Sequence, residues 1–175
     1  MRWDQVNTQT CSIARSLSIF GDSWTLLVIR QIFMRIRRFS DIQQSLGITK
    51  HRLSDRLNRL VEEEIIYKHL YDEKYNRFEY KLTERGLELY PILISITMWG
   101  DKWTADADGP PVEYVHKNCG ENAKPKLSCS HCDEQINATN TTMRLGPGIE
   151  KKLMRGEVKE TDINLYSRAF QNFNG

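Results

Sequence analysis

The chain has little that would suit a membrane protein, a secreted protein or an enzyme. None of its 175 residues belong to an apolar run approaching the roughly 20 residues that cross a bilayer as a helix. The opening MRWDQVNTQT has no apolar signal region, so a cytosolic location is the expectation. Formal net charge is only +2, so any basic surface has to be local. No Cys-x-x-Cys follows the strand of a βαβ unit, as a redox dithiol motif would. No glutamate stands beside histidine in a hydrolase-type metal motif. An enzyme is therefore not expected. Neither an internal repeat nor a low-complexity tract is visible. The four cysteines, in a reducing compartment, read as thiols or metal ligands before structural disulfides.

The basic excess is concentrated. Between Arg30 and Arg59 there are eight Lys/Arg against two Asp/Glu, which is the local imbalance phosphate binding needs. Within this stretch the sequence predicts a short helix Asp41–Leu46 with Ser40 as its N-cap, a turn at Leu46-Gly47-Ile48, and a longer helix Lys50–Glu64 capped by Thr49. Leu53, Leu57, Leu60 and Val61 form one apolar stripe of the longer helix. Its other face carries Lys50, His51, Arg52, Ser54, Asp55, Arg56, Asn58 and Arg59, the outline of a helix that enters a major groove. After Glu64 the pattern changes from helical to alternating. Ile65–Tyr71 and Arg77–Leu82 read as a hairpin with its turn at Asp72–Asn76, a wing whose tip carries Lys74, Asn76 and Arg77. Helix, turn, helix and hairpin in that order make a winged helix-turn-helix.

Upstream, a helix is expected over Cys11–Phe20, ended by Gly21 as a left-handed C-cap. A second follows over Trp24–Met34, capped by Asp22 or Ser23. Arg37 and Arg38 precede the helix-turn-helix, where guanidinium groups and free helical N–H groups both favour a phosphate. Downstream, Thr83 and Glu84 start a helix reaching Trp103, with Pro91 expected to kink it. Its apolar groups, with those of the Cys11–Phe20 helix, exceed what a small winged helix covers, and predict a homodimer interface. Asp106–Pro111 reads as a linker.

Beyond the linker stand His116, Cys119, Cys129 and Cys132, with His131 nearby. A Cys-x2-Cys pair can place two sulfurs on one tetrahedral metal, and thiolate-rich ligands select zinc. The outline is a small zinc-ribbon-like hairpin with His116 as one of four ligands. The alternative is a metal-free hairpin with free or redox-active thiols. Further on, Gly146-Pro147-Gly148 reads as a turn, Glu150–Met154 and Thr161–Phe170 as helical stretches.

Residues 1–105 resemble the HxlR-type winged-helix transcription regulators of bacteria, a branch close to the MarR-like regulators. The resemblance is carried by Cys11-Ser12-Ile13-Ala14, by Phe20-Gly21-Asp22-Ser23-Trp24-Thr25-Leu26-Leu27-Val28-Ile29-Arg30, by Arg38-Phe39-Ser40-Asp41-Ile42, by Leu53-Ser54-Asp55-Arg56-Leu57, by Tyr80-Lys81-Leu82-Thr83-Glu84-Arg85-Gly86, and by Trp99-Gly100. Two departures are Ser12, where the family often has Pro, and Met34-Arg35-Ile36, where it often has a further Gly. The resemblance implies a homodimer on an inverted-repeat operator, one recognition helix per half-site. It also implies a role for Cys11 as a redox or electrophile sensor; the residue by itself reads first as a buried, inert thiol packed at a helix start.

The expectation is thus an α+β chain. Residues 1–105 form a winged helix-turn-helix for DNA binding and dimerisation, residues 106–111 a linker, and residues 112–175 a small Cys/His-containing module. The partner is double-stranded DNA, through Arg37, Arg38, Ser40, Thr49, Lys50, His51, Arg52, Asp55, Arg56, Arg59, Lys74, Asn76 and Arg77. A winged helix that docks a protein instead of DNA is the alternative.

Overall fold

The structure, a computed structural model, describes residues 10–158 together with Tyr166 and Ser167. Its elements in chain order are α1 (Ser12–Phe20), α2 (Thr25–Phe33), α3 (Phe39–Leu46), α4 (Lys50–Glu62), β1 (Ile66–Asp72), β2 (Arg77–Leu82), α5 (Glu84–Leu87), α6 (Tyr90–Trp103) and α7 (Pro147–Met154). The chain divides into two compact units. One spans Ser16–Glu113; the other comprises the residues before and after it. The stretch expected as Thr161–Phe170 lies outside the described residues apart from Tyr166 and Ser167, as do the first nine residues.

In the unit Ser16–Glu113 helical periodicity builds one core. Val28, Ile29 and Ile32 of α2, Ile42 of α3, and Leu53, Leu57 and Leu60 of α4 are fully or almost fully buried. Ile48, Ile65, Ile66, Tyr80 and Leu89 join the same cluster. Each such aliphatic side chain contributes about 1.5–3 kcal/mol when fully buried. Gly47, at φ 62, ends α3 and turns the chain into α4, as the sequence requires.

Two helices of this core end without glycine where glycine is the usual residue. After α2 the Arg35 N–H donates to the Ile32 carbonyl and the Ile36 N–H to the Gln31 carbonyl, at 3.1 and 3.0 Å, with Arg35 at φ 67. After α4 the Glu64 N–H donates to Val61 and the Ile65 N–H to Leu60, with Glu64 at φ 55. Both are Schellman endings on a left-handed residue.

Several local expectations are corrected. Gly21 is absent from the left-handed residues; its N–H donates to the Leu17 carbonyl at 2.7 Å, and a Cβ there would meet that oxygen at 2.5 Å. Ser40 lies inside the first turn of α3 and its hydroxyl donates to Asp41, because Arg38 holds the cap position. Thr49 has the extended cap backbone of α4, but its side chain makes no capping bond. The expected helix Glu84–Trp103 is two, α5 and α6, and Pro91 sits in the first turn of α6, where its missing N–H costs nothing, so it kinks no helix. Likewise Pro147 starts α7 and Gly148 is helical, so Gly146-Pro147-Gly148 is a helix start.

The hairpin pairs Ile66 with Leu82, Lys68 with Tyr80 and Leu70 with Phe78, antiparallel. Asp72 then faces Arg77, which leaves Tyr71 as a bulged extra residue. At the tip Asp72 Oδ1 accepts the Tyr75 N–H and Asn76 takes φ 49. β2 is tied to the chain before α3 by the Tyr80 N–H, which donates to the Arg37 carbonyl at 2.8 Å.

Candidate nucleic-acid interface

Helix α4 is fixed at both ends and along one face, which leaves one polar surface free. Leu53, Leu57 and Leu60 are 0% exposed. At the far end, the carbonyls of Glu63, Glu64 and Ile65 have no partner within the helix and are taken up by the segment Thr83–Gly86. The Thr83 hydroxyl donates to Glu64 at 2.6 Å, the Thr83 N–H to Ile65 at 3.1 Å, and Arg85 Nη1 to Glu63 at 2.6 Å. Arg85 is a cation at a helix C-terminus, the favourable end for it. The Thr83 hydroxyl also accepts the Gly86 N–H at 3.1 Å and so caps α5. Gly86 is buried so close to the Ile65 carbonyl that no Cβ fits between them. Sequence reading placed Thr83 at a helix start and missed this grip, because the contact spans some twenty residues of chain.

On the free face, Lys50, His51, Arg52, Asp55 and Asn58 are exposed. His51 Nδ1 lies 3.2 Å from Asp55 Oδ2, one turn apart. The other two basic residues of the helix are differently employed. Arg56 Nε donates to Asp22 Oδ1 at 2.8 Å, with both side chains about three-quarters buried. Arg59 donates to the Ser18 carbonyl. These two were assigned to DNA from the sequence. The structure sets them against the chain around α1 and α2, because they stand on the flank of the apolar stripe, where a neighbouring element closes over them.

Asp22 is the hub of that contact. Its Oδ1 accepts the N–H groups of Trp24 and Thr25 at 3.0 and 3.2 Å, and its Oδ2 the Thr25 hydroxyl, so it caps the start of α2. Burial by itself would raise its carboxyl pKa. The Thr25 hydroxyl, the Trp24 N–H, the Arg56 guanidinium and the Thr25 N–H outweigh that and hold it below its ordinary value.

Cations of the loop and wing are held by rings. Arg38 lies over the ring of the bulged Tyr71 at 4.6 Å. Lys74 and Arg77 lie over Tyr75 at 5.3 and 5.1 Å. These are cation–π distances, and they orient charges that stay exposed. Tyr71 and Tyr75 were not singled out from the sequence; the signal was their spacing in a wing otherwise rich in cations. Asn76 is exposed at the tip. Arg37 is half-buried, and its Nε is among the buried atoms with no protein partner.

The remaining candidates lie elsewhere. Cys11 is half-exposed, one residue before α1, and its carbonyl accepts the Arg15 N–H. His116 Nδ1 stands 3.3 Å from Cys119 Sγ. Cys129 and Cys132 line one small cavity and are both free thiols. Among the described residues no three His, Cys, Asp or Glu side chains already stand close enough to share a metal ion. No helix of the described residues is long and apolar enough to cross a membrane.

A supported helix with an exposed polar face, a glycine turn before it and a cation-bearing wing after it define the class: a winged helix-turn-helix transcriptional regulator. Within that class, the sequence model of the HxlR-like helix-turn-helix family matches residues 19–108, and the chain belongs to that family. It is 41% identical over 142 residues to an uncharacterized HTH-type transcriptional regulator of Mycobacterium bovis, covering 81% of this chain and 90% of that one. Against a further such regulator of Synechocystis identity is 34% over 94 residues, 53% of this chain and 70% of the other. Among solved structures, PA1607, named a candidate transcription factor, superimposes with a TM-score of 0.71 at 30% identity, over 81% of this chain and 97% of that chain.

Proposed function

We propose that the chain acts as a homodimer on an inverted-repeat operator in double-stranded DNA, with α4 of each protomer in a major groove. The carrying observation is the contrast along α4 itself. Its leucines are wholly buried, while Lys50, His51, Arg52 and Asp55 project from the same rigid element. Arg52 is the side chain best suited to a guanine edge, since it is exposed and makes no ion pair, unlike Arg56. Ser40, Thr49 and Arg38 stand exposed at the starts of α3 and α4, in reach of a phosphate backbone. Lys74, Asn76 and Arg77 at the wing tip would meet the adjacent backbone or minor groove. The compartment that fits this role is the cytoplasm.

The second copy is supported by α6. Ile94 is buried and Leu93 packs on the core, but Ile92, Ile96, Trp99 and Trp103 are 41%, 49%, 63% and 65% exposed. They recur at i, i+4, i+7 and i+11, one stripe along the helix. A partner helix would cover it. Cys11 is the place where a thiol-reactive signal would enter; blocking of repression or activation by an alkylating agent, lost in Cys11→Ser, is its readout.

The test is recovery of bound genomic fragments by the purified protein, then titration of a recovered site. Arg52→Ala should weaken specific binding by about 1–3 kcal/mol, with affinity falling steeply as salt rises. Binding as tight as wild type, or binding insensitive to salt, would remove α4 from the interface. Trp99→Ala with Trp103→Ala should convert the dimer to monomer in sedimentation; an unchanged mass rejects the α6 interface.

A further inference from the structure

Two turns beyond Glu113 are built on one plan. In the first, the His116 N–H donates to the Glu121 carbonyl and the Gly120 N–H to the His116 carbonyl, both at 2.8 Å, while the Ala123 N–H donates to Tyr114. In the second, the Cys129 N–H donates to Glu134 and the Asp133 N–H to Cys129, both at 2.9 Å, and the Ile136 N–H to Leu127. Val115 bridges Asn122 in one and Ser128 bridges Gln135 in the other. Every donor and acceptor of the second turn lies thirteen positions after its counterpart, since 129 − 116 and 136 − 123 both equal 13. Both turns also put a left-handed residue at the same step, Gly120 at φ 76 and Asp133 at φ 58.

This repeat makes His116 equivalent to Cys129, and Cys119 equivalent to Cys132. All four are soft or borderline ligands, and each turn gathers its own pair: His116 Nδ1 stands 3.3 Å from Cys119 Sγ, and Cys129 and Cys132 line one small cavity.

Apolar burial does little here. Among the described residues from Tyr114 onward, Ile149 is the one buried hydrophobic side chain, whereas Val115, Leu127 and Met143 are 56%, 67% and 52% exposed. Where apolar burial is this sparse, as among these described residues, a metal or a cross-link is the usual substitute for a core.

We propose that the two turns hold one zinc ion through His116, Cys119, Cys129 and Cys132. Each turn supplies a pair, and the ion draws the two pairs into one tetrahedron, the coordination of structural zinc with three thiolates and an imidazole. The connecting Lys124-Pro125-Lys126 is exposed and without regular structure, so the pairs can close on the ion without disturbing a packed interior. The three sulfurs bind as thiolates, any thiol proton passing to solvent, and no oxidation is involved. His131, outside the repeated positions, is not a ligand.

The full chain, grown with zinc and desalted, should carry about one zinc per chain by mass spectrometry. Cys129→Ser, Cys132→Ser, Cys119→Ser and His116→Ala should each lower that content sharply, and His131→Ala should not. Cobalt in place of zinc should give the intense visible bands of a tetrahedral thiolate site. Independently of any variant, a chelator should open the Lys126–Leu127 bond of the wild-type chain to trypsin, and zinc should close it again. Zinc below about a tenth per chain, a Cys129–Cys132 disulfide in the freshly purified protein, or full zinc retention in the His116→Ala/Cys119→Ser double variant would each overturn the proposal.

Discussion

In the unit Ser16–Glu113 thirteen buried side chains form one cluster, whereas beyond Tyr114 a single described apolar side chain, Ile149, is buried. The first unit is held by surfaces that exclude water. In the second, the ordered turns are held by backbone bonds around pairs of ligand-type side chains. The difference decides what a mutation does: in the first unit volume matters, in the second the chemistry of a few atoms does.

The largest effect is expected at Gly86. An added Cβ meets the Ile65 carbonyl and comes within 3.0 Å of Leu82 Cδ2, and backbone on backbone cannot relax by a rotamer change. Gly86→Ala should therefore cost at least about 3 kcal/mol in urea unfolding followed by tryptophan fluorescence. It should also loosen the grip on α4 and abolish DNA binding, while leaving the zinc content proposed for the other unit unchanged. Loss of zinc along with the fold would show that the two units do not stand apart energetically.

Next in size is a matched pair. Leu57→Ala empties a site that is 0% exposed and should cost about 2–5 kcal/mol. Leu127→Ser changes a leucine that is 67% exposed and should shift stability by less than about 0.5 kcal/mol. Similar costs for the two would erase the contrast between the units.

Asp22 and Arg56 sharpen it on the electrostatic side. Arg56→Ala should cost about 1–3 kcal/mol of stability by leaving a partly buried carboxylate with one partner fewer. At temperatures where the variant is folded, its operator affinity should stay within about twofold of wild type, unlike Arg52→Ala. The pH dependence has a definite sign. Asp22 is held below its ordinary value of 3.8, so its contribution is complete above that value and is lost as pH falls through the lowered one. Arg56→Ala should shrink that acid-side loss. A variant that unfolds with the wild-type acid profile would show that the pair contributes nothing.

How much of this was legible follows from the distance over which each feature is determined. The stripe Leu53, Leu57, Leu60 and the change to alternation at Ile66 are local patterns, so the winged helix could be read from the sequence. Arg56 could not be placed, because its partner Asp22 lies 34 residues earlier and periodicity carries no information about what covers a helix flank. The Thr83–Gly86 grip on α4 is non-local in the same way. The repeat of the two turns escaped for another reason: it is a repeat of backbone bonds, and the residues occupying it differ except for cysteine at 119 and 132 and glutamate at 121 and 134. The break at Glu88-Leu89 was hidden by unbroken apolar spacing, although Pro91 is at home in the first turn of a helix and gave the sign of it.

The smallest expected effect concerns Arg35, a left-handed residue that is not glycine. Arg35 closes the α2 Schellman motif at φ 67, a conformation that glycine adopts without steric cost. Arg35→Gly removes that cost but adds freedom to the unfolded chain, and the two oppose each other. The steric cost of a left-handed residue is about 1–2 kcal/mol and the added chain entropy offsets about half of it, so a net gain of about 0.5–1 kcal/mol is expected in urea unfolding. If DNA binding weakens while stability rises, the guanidinium is retained at this strained position for the duplex, and the backbone strain beside α3 is maintained by what Arg35 contacts there. If stability falls instead, the side chain packs favourably enough to outweigh the strain, and the ending of α2 depends on arginine as the core depends on Leu57.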